Sequence, residues 1–152
     1  MIIEREQYLN QLIKKKDNGR IKIITGIKHC GKSYLLFKLF KNYLLNHGVK
    51  EEQIVERALD DIDHVKYRNP FALNNYIKQK TEKDQKYYVF IDEIQFSQAV
   101  KNPYIEDSAE DITFVDTLLG LSKNKNLDIY VTGSSSKMLS KDILTQFRDR
   151  GD

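Results

Sequence analysis

The sequence of 152 residues predicts a three-layer α/β/α fold built on a mainly parallel sheet. Segments rich in β-branched and aromatic residues alternate with helical patterns, and this alternation is typical of right-handed βαβ units. Residues 87–91 (YYVFI) are five consecutive β-formers without a charge, as expected for a strand that helices cover on both faces. No repeat or Pro/Gly-rich linker interrupts the pattern, so we expect one domain over residues 1–152.

The individual elements follow from periodicity and from start and stop signals. The apolar residues of the second helix recur at three- and four-residue spacing, and the third helix begins at Pro70. The predicted strands cover residues 21–25, 54–59, 87–91 and 127–132. The predicted helices cover residues 5–16, 32–46, 70–80, 114–122 and 137–147.

Composition limits the class of protein. Lys and Arg number 25 against 22 acidic residues, a net charge of +3, and this scattered excess does not indicate a nucleic-acid surface. A single cysteine, Cys30, excludes an internal disulfide. No apolar stretch approaches the ~18–20 residues of a membrane span, and the N-terminus lacks the apolar run of a signal peptide. We therefore expect a cytoplasmic protein that does not associate with membranes.

A phosphate-binding motif follows the first strand. The residues Gly26-Ile27-Lys28-His29-Cys30-Gly31-Lys32-Ser33 fit the pattern G-x-x-x-x-G-K-[ST] at every fixed position. The glycines allow a tight turn whose N–H groups face phosphates, and the following helix adds its dipole. Lys32 is expected to reach the β- and γ-phosphates, and the Ser33 hydroxyl to bind Mg²⁺. The sequence therefore predicts a P-loop NTPase in which residues 26–34, from Gly26 to Tyr34, contact the nucleotide.

Two variable positions of this loop carry side chains with chemistry of their own. Cys30 is either a redox-sensitive thiol or a loop residue without a chemical role. His29 either touches phosphate or is exposed.

An acidic pair, Asp92-Glu93, ends the charge-free strand. A carboxylate at the carboxyl end of a parallel strand beside a phosphate loop is where a Mg²⁺-binding Asp is expected, which assigns that role to Asp92. Glu93 would polarise the attacking water and so favours hydrolysis over transfer to an acceptor. The alternative is that both residues merely cap a short helix through Ile94 and Gln95.

Serines follow the last predicted strand. Ser134 is expected to contact the γ-phosphate or orient the water, so that it senses hydrolysis. The alternative role for this segment is the N-cap of the next helix, for which Ser135 or Ser136 is suited.

Three further groups of charged residues lie outside these motifs, and two of the groups have two possible roles each. Arg148 and Arg150 are either arginine fingers for a neighbouring subunit's nucleotide or solvated surface residues. Asp60 and Asp61 either stand near the Mg²⁺ or cap a helix. The acidic stretch 106–111 is expected to be an exposed loop.

The stretches GIKHCGKS, YYVFIDEIQ, ITFVDTLLGL and IYVTGSSSKMLS resemble the prokaryotic AAA-type ATPases that carry a C-terminal domain of unknown function. The similarity covers essentially the whole chain and includes the spacing between motifs. It implies ATP and Mg²⁺ as ligands. It also implies phosphate and metal binding by Lys32 and Ser33, metal binding by Asp92, catalysis by Glu93, and the sensor position for Ser134.

The chain departs from the family at two places. The family usually has two arginines where this loop has Lys28 and His29. Arg150 resembles the arginine of the family's Gly-Arg segment, but Asp149 replaces the glycine.

The resemblance further implies a fifth core strand and a small helical lid after the last helix, which a chain ending at residue 152 would lack. The first strand would then be an unpaired edge, and we expect such a domain to fold marginally, to self-associate and to turn ATP over slowly or not at all. The alternatives to an ATPase are a nucleotide-gated module that recruits a protein or DNA client, an inactive fragment, and a small-molecule kinase.

Overall fold

The computed structural model describes residues 2–25 and 31–133, and its core is a parallel sheet. The strands are β1 (Lys22–Ile24), β2 (Ile54–Ala58), β3 (Tyr87–Asp92), β4 (Val100–Lys101), β5 (Asp111–Ile112) and β6 (Leu127–Thr132). The α-helices are α1 (Ile2–Lys15), α2 (residues 32–46), α3 (Pro70–Lys80) and α4 (Phe114–Leu121). Short 3₁₀ helices cover Glu51–Gln53, Ile62–Arg68 and Ile94–Phe96.

Four of the strands form one sheet in the order β1-β6-β3-β2, and every neighbouring pair is parallel. Because successive residues of a strand face opposite sides, β3 supplies both layers of the core. Val89 and Ile91 pack in a cluster with α3 and α4, whereas Tyr88 and Phe90 pack in another with α1 and α2. The predicted three-layer α/β fold with a mainly parallel sheet is therefore confirmed.

Local signals fix where α3 and α4 begin. The Asn69 side chain accepts hydrogen bonds from the N–H groups of Phe71 and Ala72, and Pro70 occupies the first turn, where it loses no helical hydrogen bond. At α4 the Thr113 hydroxyl accepts from the N–H of Val115 and the Asp116 carboxylate accepts from the N–H of Thr113. These helices therefore begin where the sequence predicts.

The structure differs from the sequence prediction in the regularity of α2. Residues Leu35–Phe40 form a π-helical stretch, and the N–H of Lys41 donates to the carbonyl of Leu36, five residues earlier. Leu35, Leu36 and Phe40 are all buried in this stretch. The three- and four-residue spacing of apolar residues is the same pattern that a regular helix shows, so the sequence pattern does not reveal the wider turn.

The acidic stretch between β3 and α4 is exposed as predicted, but it belongs to a hairpin. Strands β4 and β5 pair antiparallel, and an ion pair of 2.7 Å joins Lys101 Nζ to Asp111 Oδ1. Two-residue strands are too short to leave a periodic signal in the sequence. The predicted helix at residues 137–147 lies outside the described residues.

Within the described sheet, β1 pairs on one side only, with β6. In residues 2–25 and 31–133 no helix is both long and apolar enough to cross a bilayer.

Candidate nucleotide site

The carboxyl ends of four strands, β1, β6, β3 and β2, lie along the edge of the sheet where the sequence predicts the phosphate loop. The N–H of Gly133, just after β6, donates to the carbonyl of Ile24 at the end of β1 (3.3 Å). The N–H of Leu59, just after β2, donates to the carbonyl of Asp92 at the end of β3 (3.0 Å). In parallel α/β sheets this edge is where ligands bind.

Gly31 is the residue of the predicted phosphate loop that directly precedes α2, and its backbone conformation requires glycine. Its φ of +76° lies in the left-handed region, and a Cβ there would stand 3.2 Å from the Cβ of Tyr34. The helix α2 begins at the next residue, Lys32, and the carbonyl of Gly31 accepts from the N–H of Leu35 (2.9 Å). The last part of the motif therefore enters a helix N-terminus, as a phosphate-binding loop requires.

The remaining loop residues lie outside the described part of the chain: Gly26, Ile27, Lys28, His29 and Cys30. So do Ser134, Arg148 and Arg150. The roles predicted for them stay predictions.

Ser33 and Asp92, the two predicted Mg²⁺ ligands, are in direct contact. The Ser33 hydroxyl donates to Asp92 Oδ2 at 2.5 Å, although the two residues lie 59 positions apart. Ser33 stands in the first turn of α2 and Asp92 is the last residue of β3. The fold thus brings a hydroxyl and a carboxylate oxygen together beside the end of the phosphate loop, and both are the hard oxygen donors that Mg²⁺ prefers.

The electrostatics of Asp92 suit a cation. The side chain is only 3% exposed, and this burial raises the pKa of Asp92 above its ordinary value, with further repulsion from Glu93 and Asp60. Hydrogen bonds from Ser33 and Thr132 act in the opposite direction but do not cancel the effect. A buried carboxylate of this kind is stabilised by a positive charge placed against it.

The donor set fits an ion that keeps most of its own water and phosphate ligands. Across the described ranges, no three or more His, Cys, Asp or Glu side chains gather as they would in an all-protein metal cage. Mg²⁺ is held in nucleotide sites by one or two protein oxygens together with phosphates and water, and Ser33 with Asp92 would hold it in this way.

Glu93 has an unusual backbone conformation for its residue type. Its φ of 57° and ψ of 55° lie in the left-handed region, which costs a non-glycine residue about 1–2 kcal/mol. Its N–H donates to the Thr132 hydroxyl at 2.9 Å, and its carboxylate accepts from Gln95 Nε2 at 3.0 Å. The Glu93 side chain makes no capping bond to the 3₁₀ helix Ile94–Phe96, so the capping alternative is not supported for it.

Asp60 and Asp61, the second acidic pair, have different roles. The Asp61 carboxylate accepts from the N–H of Asp63 and so caps the 3₁₀ helix Ile62–Arg68. Asp60 is exposed but close enough to raise the pKa of Asp92. Asp61 therefore has the capping role, and Asp60 belongs to the electrostatic surroundings of the site.

Thr132 is a site residue that the sequence analysis missed. It is the last residue of β6 and is fully buried. Its hydroxyl donates to Asp92 Oδ1 at 2.5 Å and accepts from the N–H of Glu93. One signal was available: a polar residue ends an otherwise buried strand at the same edge as Asp92. The polar role at this strand end was instead assigned to Ser134, two residues later.

A family model described as an AAA domain matches residues 18–152 of the chain. The chain belongs to the AAA domain family. This membership confirms the resemblance inferred from the motifs, and it agrees with the strand order and with the contact between Ser33 and Asp92.

The AAA domain has curated relatives that are themselves uncharacterised. One, from Haemophilus influenzae, is 31% identical over 150 residues, which is 98% of this chain and 34% of the relative. Another, protein MJ1544 of Methanocaldococcus jannaschii, is 29% identical over 136 residues, covering 87% of this chain and 25% of the relative. The chain thus spans between a quarter and about a third of the length of these relatives.

Among solved structures, the AAA domain is similar to a chain in the structure of Drosophila ORC bound to DNA. The TM-score is 0.55 with 11% sequence identity, and the match covers 95% of this chain and 85% of the other. At this identity the likeness shows a shared fold. The nucleotide-binding, ATPase-type character of the chain is supported by its membership of the AAA domain family.

Proposed function

We propose that this AAA domain binds ATP together with Mg²⁺ and hydrolyses it. The observation that carries the proposal is the 2.5 Å contact between Ser33 and Asp92 at the end of the phosphate loop. The contact brings a buried carboxylate and a half-buried hydroxyl together at the edge of the sheet where ligands bind. The pair has the chemistry and the place of a Mg²⁺ site in a P-loop protein.

The residues of the loop divide the work of holding the triphosphate. Residues 26–34 and the N-terminus of α2 are proposed to bind the phosphates through backbone N–H groups. Lys32, the first residue of α2, neutralises charge on the β- and γ-phosphates. When bound, Mg²⁺ supplies charge neutralisation at the phosphate oxygens, and Ser33 and Asp92 would hold it there.

Glu93 is the proposed general base. Its carboxylate follows the metal-binding Asp92 directly, and it accepts a proton from the water that attacks the γ-phosphate. Ser134 is proposed to contact the γ-phosphate or orient this water, and Arg150 to stabilise the charge of the transition state. The proposed partners are a second copy of this domain and a protein or DNA client. The structurally similar chain belongs to Drosophila ORC bound to DNA.

A second candidate function is a nucleotide-gated binding module with little turnover. The contact between Gln95 Nε2 and Glu93 Oε1 favours it, because a carboxylate engaged with a side-chain amide is less available to a water molecule. Nucleotide would then set a conformation that recruits a client, and hydrolysis would be incidental.

The test compares binding and turnover in the wild type, Glu93→Gln and Gln95→Ala. An ATPase predicts that Glu93→Gln retains Mg·ATP affinity and loses about 100-fold or more in kcat. If the domain is instead a gated module in which Gln95 restrains Glu93, turnover should be low in the wild type and should rise in Gln95→Ala. Turnover that requires an added acceptor would instead indicate a kinase, and equal kcat in wild type and Glu93→Gln would remove Glu93 from the mechanism.

A further inference from the structure

Thr132 joins the two carboxylate residues of the proposed site. It ends β6, the strand between β1 and β3, and its side chain is completely inaccessible to solvent. The last paired residues of β3 and β6 are Ile91 and Val131, so Asp92 and Thr132 follow side by side.

The hydroxyl of Thr132 is both a hydrogen-bond donor and a hydrogen-bond acceptor. It donates its single proton to Asp92 Oδ1 and accepts a hydrogen bond from the N–H of Glu93. Because the other oxygen of Asp92 accepts from Ser33, both carboxylate oxygens have a fixed hydroxyl partner. The orientation of the Asp92 carboxylate is therefore set jointly by β6 and by the first turn of α2.

The second of these bonds holds a strained backbone. Glu93 is in the left-handed region, where a residue with a Cβ is disfavoured and persists only when its surroundings determine it. The bond from its N–H to Thr132 is the contact from β6 that stabilises this turn. A side chain at residue 132 without a hydroxyl would leave that N–H and Asp92 Oδ1 without this partner.

We propose that Thr132 is a positioning residue that fixes the metal-binding carboxylate of Asp92 and the backbone of the catalytic Glu93 relative to each other. This inference rests on the proposed function, and it is separate from the sensor role predicted for Ser134. Supporting groups of this kind typically change metal affinity or activity by about 10–100-fold when removed.

The chain offers a matched control in Thr117. This threonine is also buried, but its hydroxyl donates to the backbone carbonyl of Pro70 and so joins α4 to α3. Thr117→Val removes a buried hydroxyl that contacts neither Asp92 nor Glu93, whereas Thr132→Val removes the hydroxyl that contacts the Asp92 carboxylate and the backbone N–H of Glu93. Thr132→Ser keeps the hydroxyl and removes only the methyl group.

In a chain that hydrolyses ATP, we expect Thr132→Val to lower kcat by about 10–100-fold. Its affinity for ATP in EDTA should stay within about twofold of wild type, because the loop and Lys32 are untouched. Thr132→Ser should keep kcat near the wild-type value, and Thr117→Val should lose thermal stability but not kcat. The proposal is overturned if Thr132→Val keeps wild-type kcat, or if Thr132→Ser falls as far as Thr132→Val.

A measurement on the nucleotide-free chain separates this inference from the hydrolysis itself. If the wild type shows no turnover, the proposed hydrolysis fails, and exchange of the Glu93 amide hydrogen decides the role of Thr132. Protection that falls at least about tenfold in Thr132→Val and persists in Thr132→Ser and Thr117→Val supports the role. Equal protection in wild type and Thr132→Val overturns it; Thr132→Ala replaces the valine variant, with the same criteria, if that variant does not fold.

Discussion

Lys22 and Asp128 form a buried ion pair on neighbouring strands, with 2.5 Å between Lys22 Nζ and Asp128 Oδ1 and side-chain exposures of 5% and 2%. Asp128 Oδ2 also accepts hydrogen bonds from the Tyr130 hydroxyl and from the N–H of Asp17. Burial lowers the pKa of Lys22, and the hydrogen bond to Asp128 opposes this change. The pair lies toward the amino-terminal side of the sheet, opposite the proposed site, and connects β1 and β6 to the chain after α1.

Breaking this pair is expected to cost stability without changing the site. Lys22→Met leaves the Asp128 charge buried without its cation, which costs on the order of 3–5 kcal/mol in the free energy of unfolding. Lys101→Met is the control, because its ion pair with Asp111 is 63% and 55% exposed and contributes less than about 1 kcal/mol. Urea unfolding measures both. Equal losses in the two variants would show that the buried pair contributes no more to the free energy of unfolding than the exposed pair.

Asp17 predicts a pH dependence of stability. Its burial would raise the pKa, but the hydrogen bonds and charges of Lys86 and Lys16 outweigh burial and hold the pKa below the ordinary 3.8. A carboxyl with a depressed folded-state pKa stabilises the fold above its unfolded pKa, and this stability is lost as pH falls through the folded value.

Asp17→Asn should therefore lower the free energy of unfolding at pH 7 and reduce its decline between about pH 5 and 2. Asparagine tolerates the left-handed backbone of residue 17, where φ is 61°. Asp107→Asn, another exposed left-handed position with a φ of 54°, is the control. Denaturant titrations across this pH range give the answer, and parallel curves for wild type and Asp17→Asn would contradict the prediction.

Gly31→Ala tests the geometry at the end of the phosphate loop. The substitution meets both the left-handed φ and the Cβ of Tyr34 at 3.2 Å, so we expect a loss of about 1–2 kcal/mol in stability and weaker nucleotide binding. Gly48→Ala has a similar φ of +92° but open space around the new Cβ. It should share the backbone cost and leave nucleotide affinity unchanged. Unaltered nucleotide affinity in Gly31→Ala would mean that this turn does not shape the site.

Ser33→Ala tests the metal pair. We expect Mg²⁺ to raise the ATP affinity of the wild type. In Ser33→Ala this increase should be smaller by a factor of about ten or more. Ser122→Ala is a matched control, because its hydroxyl donates to the Leu119 carbonyl at the end of α4, away from the carboxyl ends of the strands. Titrations of ATP with Mg²⁺ and with EDTA make the comparison. An unchanged Mg²⁺ effect in Ser33→Ala would exclude Ser33 as a ligand.

The sequence predicted those parts of the fold that depend on local pattern. The uncharged run of β3, the proline that starts α3 and the glycine after α2 are local signals, and the elements lie where these residues place them. The contact of Ser33 with Asp92 was also predictable, since both stand at the carboxyl edge of a parallel sheet.

The rest depends on tertiary contacts that no local pattern records. The role of Thr132 follows from the register of β6 against β3, and the left-handed turn at Glu93 follows from the bond that Thr132 accepts. The ion pair of Lys22 and Asp128 joins residues 106 positions apart. In the sequence each of these residues is only a polar position in or beside an apolar run.

The most direct test of the nucleotide site is calorimetric titration of the chain with ATP in the presence of Mg²⁺, with Lys32→Ala as the matched variant. We predict saturable binding by the wild type, weaker binding when EDTA replaces Mg²⁺, and loss of binding in a folded Lys32→Ala variant. Absence of binding by a folded wild type, or equal binding by the two proteins, would contradict the account.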